Sequence, residues 1–258
     1  MLLYFRFFAL QLKSQMQYKL SFFLTTLGQF ITSFAAFFGV YFMFSRFNEV
    51  ENFTYEQALL CFAVVTMAFS LGEMAGGGFA TFPRMLGNGE FDRVLIRPRS
   101  TLFQILAPKM DFTRIGLFAQ AVLVLGYAVK TSGIIWSISK IITLCLMILS
   151  GSVIFFCLFL IYAGFSFFTV EGLQFFNLFT YGGRQFGRYP FSIYGKNVLM
   201  FLTFVIPLAL FQYYPLLYLL DREQGILFML MPLLGLFFLL PSYALFRFGL
   251  RHYKSTGS

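Results

Sequence analysis

Charge is scarce in this 258-residue chain: only 11% of its residues are Asp, Glu, Lys or Arg, against about 25% in a soluble domain. With 59% hydrophobic residues and a mean hydropathy of +0.78, that scarcity excludes a soluble fold and assigns residues 1–258 to a single polytopic membrane domain. Regular alternation of apolar and polar residues is lacking too. A transmembrane barrel needs alternating segments of about ten residues, whereas the apolar runs here extend over about twenty or more, so the fold class is all-α. Nucleic acid is not expected as a partner, because in a membrane chain a net charge of +9 fits anchoring at one membrane face.

Histidine is reduced to His252, in a basic C-terminal tail. It leaves Ser150-Gly151-Ser152 without a base to activate a nucleophile and supplies no ligand set for a metal, so no catalytic or metal site is expected. A Gly-x-x-x-x-Gly-Lys-Ser/Thr loop is missing, and Gly76-Gly77-Gly78 is not followed by the lysine and hydroxyl that such a loop needs. The chain therefore binds no cofactor of its own, and those glycines read as a closely packed helix end. Cys61, Cys145 and Cys157 are odd in number and lie inside apolar runs, which marks them as reduced packing residues. Arg6, Lys13 and Lys19 break up the first twenty residues, so no cleavable signal peptide is expected.

What is present is a set of six long apolar segments, expected near 20–44, 57–80, 109–130, 141–165, 197–219 and 225–247, each sufficient to cross a bilayer. The segment 166–196 is rich in Phe but interrupted by Glu171, Asn177, Arg184, Arg188 and Pro190. It is expected as a cytoplasmic interfacial or re-entrant element rather than a seventh crossing. With six spans, one face receives Arg6, Lys13 and Lys19, then Arg84, Arg93, Arg97, Arg99, Lys109 and Arg114, then Arg184, Arg188 and Lys196, and finally Arg247, Arg251 and Lys254. The other receives only Arg46, Lys130, Lys140 and Arg222. The positive-inside rule then places both termini in the cytoplasm. Residues 1–18, too charged to span, are expected to form an interfacial helix with Arg6, Lys13 and Gln17 on one side; the alternative is an extension of the first span.

Ionisable residues inside the spans are few. Glu73 stands out, about two turns before the inner end of the second span, where it either pairs with Lys109 or Arg114 or takes part in gating. Lys109, Asp111 and Arg114 read as anchors at an interface. Thr25, Gln29, Thr32 or Ser33, Ala36 and Gly39 form a small or polar stripe on the first span, a helix seam or part of a path. Pro207 and Pro232 are expected to kink or interrupt the last two spans.

The stretch from Gly87 to Gln104, within a loop over 81–108, concentrates the chain's charge, glycine and proline. Gly87 and Gly89 permit a tight turn, and Pro98 stops a helix and fixes the exit direction. Glu90 and Asp92 beside Arg93, Arg97 and Arg99 offer polar contacts to a soluble partner; the alternative is a solvated loop that only sets topology.

Gly89-Glu90-Phe91-Asp92, followed by Leu95-Ile96-Arg97-Pro98 and Phe103-Gln104, resembles the loop after the second span in bacterial permeases of the type-2 ATP-binding-cassette exporter family. A second match runs through Tyr189-Pro190, Ile193-Tyr194, Ile206-Pro207-Leu208-Ala209 and Tyr214-Pro215 before Leu219-Leu220. The resemblance implies a permease subunit in the bacterial plasma (inner) membrane. It would pair with a second permease, identical or homologous, and with two cytoplasmic ATP-binding subunits that hold the ATP and magnesium. It also implies that the N-terminal interfacial helix and the loop rest on the ATPases, which makes Arg84, Gly87, Gly89, Glu90, Asp92, Arg97 and Pro98 the coupling candidates. The expected cargo is hydrophobic or amphiphilic, a lipid, peptide or drug; a membrane scaffold that recruits a cytosolic partner without transport is the alternative. The 40 Phe residues have no account in the family.

Overall fold

The computed structural model describes residues 2–47, 49–169 and 174–254. Glu171 lies outside them, as does Met1 of the expected interfacial helix. Among the described residues the fold is all-α apart from one hairpin of two-residue strands, β1 (Glu49–Val50) and β2 (Phe53–Thr54). Glu51 and Asn52 turn that hairpin with φ of 53° and 63°, both positive as a tight two-residue turn requires.

Helix α1 (Leu2–Gln15) passes through a 3-10 turn, Met16–Tyr18, into α2 (Lys19–Phe47). The apolar helical run from Ala9 to Phe47 is 39 residues long, roughly 58 Å at 1.5 Å per residue, nearly twice the hydrocarbon thickness. The residues expected as a separate surface helix thus continue into the first span through a single turn. Helix α3 (Tyr55–Ala80) starts where Gln57 accepts a hydrogen bond from the Thr54 backbone N–H, half of a capping box. It runs on into α4 (Phe82–Gly87), so that Tyr55–Gly87 forms one run of 33 residues. Short helices α5 (Phe91–Leu95) and α6 (Thr101–Leu106) complete the loop.

The third and fourth crossings are Phe112–Thr131, containing α7 (Ile115–Thr131), and α8 (Ile138–Thr169). After the short α9 (Tyr181–Phe186), α10 (Lys196–Phe204) and α11 (Leu208–Leu219) form a pair bent by 113°. The pair covers the residues expected as the fifth span, and the chain is interrupted at Val205-Ile206-Pro207, where Pro207 was expected to kink or interrupt it. The last crossing joins α12 (Ile226–Leu236) to α13 (Leu239–His252). Pro232 stays inside α12, and its carbonyl accepts a hydrogen bond from Ser150 of α8.

Helix α3 is the hub. Of its span window 83% is buried, against 17% for each of the first and last spans, and it packs on both α7 and α8. Gly72 makes the α8 contact close: a Cβ there would lie 2.8 Å from the Ser152 carbonyl oxygen. Small residues let helices approach in this way and gain dispersion contacts, which lipid would otherwise supply. On the first span, Ser33 is buried and donates to Gln120 of α7 at 2.7 Å, so that part of the small stripe is a helix seam.

The two ends of the bundle differ. At one end α1 meets α6 through Phe7 and Phe103, whose ring centroids are 5.2 Å apart, and Phe91 packs on Phe82, Phe167 and Tyr253. Helix α1, the end of α13 and the 81–108 loop therefore gather there. At the opposite end Arg222 donates to Gln57 at 3.2 Å and to the Asn52 carbonyl, and Lys140 pairs with Asp221 at 2.7 Å.

Candidate functional site

The 81–108 loop is a folded hairpin with two faces. Phe82, Pro83, Leu86, Phe91 and Val94 are buried, whereas Arg84, Gly87, Glu90, Arg93, Arg97 and Pro98 are exposed. The turn is closed by Asn88 N–H to Arg84 O at 3.0 Å, Gly89 N–H to Leu86 O at 3.0 Å and Glu90 N–H to Met85 O at 3.1 Å. Gly89 has φ of 68°, a left-handed conformation that costs a residue with a Cβ energy. Gln104 donates from one amide nitrogen to the Val94 carbonyl at 3.1 Å and the Arg99 carbonyl at 3.0 Å. That residue of the sequence signature thus closes the second half of the hairpin.

The hairpin is fastened from below by aromatic packing. Phe82, Phe91, Phe167, Phe246 and Tyr253 surround one another with centroid separations between 5.0 and 6.1 Å, largely edge-to-face. Such contacts add about 0.5–1.5 kcal/mol each beyond area burial, which gives part of the phenylalanine content a structural purpose. The Tyr253 hydroxyl also donates to Asp92 Oδ1 at 3.1 Å. Asp92, half-buried, therefore serves the hairpin's own structure, while Glu90 and Arg97 stand on its exposed side. Tyr253 carried no recognisable signal in the sequence, since its partner lies 161 positions away.

A second polar group lies deeper. Glu73, 2% exposed, receives Arg114 Nη2 at 3.0 Å and the Tyr181 hydroxyl at 2.8 Å, both on Oε1. Asp111 Oδ2 lies 3.2 Å from Arg114 Nε, and its Oδ1 caps the turn below by accepting from the Thr113 N–H at 3.0 Å. Arg114 is therefore the partner of Glu73. Lys109 is exposed and enters no ion pair among the described residues.

Two arginines lie elsewhere than their place in the charge count implied. Arg184 and Arg188, grouped above with the basic face, stand beside the middle of α3: the Arg184 guanidinium carbon is 4.8 Å from the Phe69 ring centroid, and that of Arg188 is 5.7 Å from Phe62. Between them a Cβ on Gly187 would approach Val65 to 3.0 Å. Neither arginine enters an ion pair among the described residues, and the Nε of each is buried without a hydrogen-bond partner. A cation over an aromatic ring gains about 0.5–2 kcal/mol, less than the several kcal/mol that removing an ion from water costs. Their four-residue spacing in a Phe-rich segment was the available sequence signal.

Gln212 of α11 fixes the other side of this segment, donating to the Gly187 and Tyr189 carbonyls at 3.3 and 2.9 Å. On the adjacent face of α9 lies an apolar cavity of about 300 Å³ bounded by Phe179, Gly183, Phe186, Phe191, Val198 and Phe201.

Comparison with known proteins gives one family. The model of the ABC-2 family transporter protein matches residues 30–257, which takes in the hairpin, the Glu73 group and the 181–212 region. No curated protein and no solved structure matches the chain.

Proposed function

Since this chain belongs to the ABC-2 transporter family and is thereby the membrane subunit of an ABC transporter that works with ATP-binding subunits, we propose that it exports a hydrophobic or amphiphilic substrate. The energy comes from ATP hydrolysed with magnesium in a separate subunit. The observation that carries this reading is the 33-residue run Tyr55–Gly87. It spans roughly 50 Å and makes the hairpin the continuation of the central helix, so a push on the hairpin acts on α3 and on the Glu73–Arg114 pair.

In this reading Arg84, Gly87, Gly89, Glu90, Arg97 and Pro98 receive the ATP-binding subunit, with Asp92 holding the hairpin to Tyr253. Helix α1 rests on the same partner as an interfacial helix. Both termini face the cytoplasm of a bacterium, the bilayer is its inner membrane, and a second permease completes the pathway. The concentration of exposed arginines at that end supports the orientation. Glu73 and Arg114 serve as a gating pair that shifts as the spans move.

Co-expression with candidate ATP-binding subunits, purification and ATPase assay test the proposal. A stable complex whose turnover depends on this chain is expected; failure to associate, with turnover indifferent to this chain, would overturn it.

A further inference from the structure

Beside the central helix the chain holds two arginines that make no ion pair among the described residues, Arg184 feeling Glu73 only at longer range and Arg188 having no carboxylate named beside it. Phe62, Thr66, Phe69 and Glu73 lie on one face of α3, spaced by four, three and four residues, and the segment 181–188 runs along that face from Tyr181 at Glu73 to Arg188 at Phe62. Since α3 extends from Tyr55 to Ala80, Arg184 stands near its midpoint and Arg188 about two turns further on. Ionisable groups at that depth are rare and mark binding sites or pathways by default. Glu73 engages Arg114 and Tyr181 through Oε1, while its Oε2 is buried without a hydrogen-bond partner; this carboxylate sets the inner limit of an anion site and leaves Arg188 and the outer side of Arg184 to the ligand.

The surrounding polar atoms are also unfilled. Thr66, 2% exposed, leaves its hydroxyl without a partner midway between Phe62 and Phe69; Gln212, fully buried, leaves its side-chain carbonyl unpartnered beside Gly187. Buried polar groups are normally bonded, so an orphan hydroxyl, an orphan amide oxygen and two orphan guanidinium nitrogens around one segment point to a missing ligand. Guanidinium groups favour phosphate and carboxylate oxygens.

We propose that Arg184 and Arg188, with the Thr66 hydroxyl, form an intramembrane site for the anionic headgroup, phosphate or carboxylate, of an amphiphile. Its position within the span favours a ligand that arrives through the lipid phase. The apolar cavity on the neighbouring face of α9 is available to a chain of such a molecule. Gln212 Oε1 accepts from a headgroup hydroxyl. The site rests on the reading of the chain as a transporter of amphiphiles and narrows it to those with negative charge.

The test uses the purified chain in detergent, with its ATP-binding subunits if these co-purify, and no nucleotide. Thermal unfolding is followed while phosphatidylglycerol, phosphatidylcholine of the same chains, or inorganic phosphate is titrated. A saturable rise in melting temperature with phosphatidylglycerol alone is expected. Arg184→Gln with Arg188→Gln should weaken its apparent affinity at least roughly tenfold, equivalent to about 1.4 kcal/mol, and Arg188→Lys should retain part of it. Thr66→Val, which removes only the hydroxyl, should weaken it several-fold and serves if the double variant does not fold. An equal response to phosphatidylcholine, an equal response to free phosphate, or variants that bind as the unaltered chain does would each overturn the proposal. Because no step uses ATP, loss of ATPase association with the lipid response intact would count against the exporter reading and leave the site standing.

Discussion

Tyr253, next to the end of α13, donates its hydroxyl to Asp92 of the hairpin at 3.1 Å while its ring packs on Phe91 at 5.0 Å. The last helix is thereby tied to the element that extends the central one.

Tyr253→Phe keeps the ring and removes the hydroxyl. The expected loss is about 1 kcal/mol, the usual net worth of one hydrogen bond. Limited trypsin digestion should cut after the exposed Arg93 and Arg99 faster in the variant than in the parent chain.

Gly78→Ala should be strongly destabilising, because a Cβ there would lie 2.5 Å from the Ile105 carbonyl oxygen and 3.0 Å from the Leu106 Cα. The atoms it meets are backbone and have little room to relax, so a cost of about 1–3 kcal/mol is expected from overpacking. Gly87→Ala meets no atom within 4 Å and should leave thermal stability unchanged. Parallel melting curves of the two variants provide the check.

Glu73→Gln retains an oxygen for Tyr181 and Arg114 but removes the negative charge, and Glu73→Ala removes both. Breaking a buried pair costs about 3–5 kcal/mol. Arg114 keeps a side-chain exposure of 20% and a second partner in Asp111, so Glu73→Ala should fall at or below that range and Glu73→Gln below it again. Unfolding in a denaturing detergent series would rank them; equal stability of all three proteins would remove Glu73 from the structural account.

The apolar periods and the concentration of arginines at 84–99 made five spans and one charged hairpin legible in advance, and Pro207 made the break between α10 and α11 legible. Glu73 and Arg114 were legible as a pair because charge in an apolar run requires a partner. Arg184 and Arg188 were not. In sequence they follow a glycine pair and precede Pro190, which describes a surface loop well; only the Phe62–Phe69 face of α3, more than a hundred residues earlier, makes that segment a half-buried one packed on the central helix. Tyr253 escaped for the same reason, since a hydrogen bond to a side chain 161 positions away leaves no period in the chain.

Glu90→Gln and Arg97→Gln alter exposed positions of the hairpin and should change stability by no more than about 0.5 kcal/mol. Membrane insertion and melting temperature should match the parent chain, while ATPase activity of the complex uncouples from transport. Vesicle transport measured beside ATP turnover checks it. An unchanged ratio of the two would show that these side chains do not serve coupling.

Photo-cross-linking at matched sites tests the central claim most directly. Ile96 in the hairpin and Ile135 at the opposite end of the bundle are 83% and 84% exposed, so a benzophenone amino acid at either position is equally free to react. With the co-purified ATP-binding subunit, position 96 should form a cross-link and position 135 should not. Cross-linking at 135 with none at 96 would contradict the hairpin as the docking element.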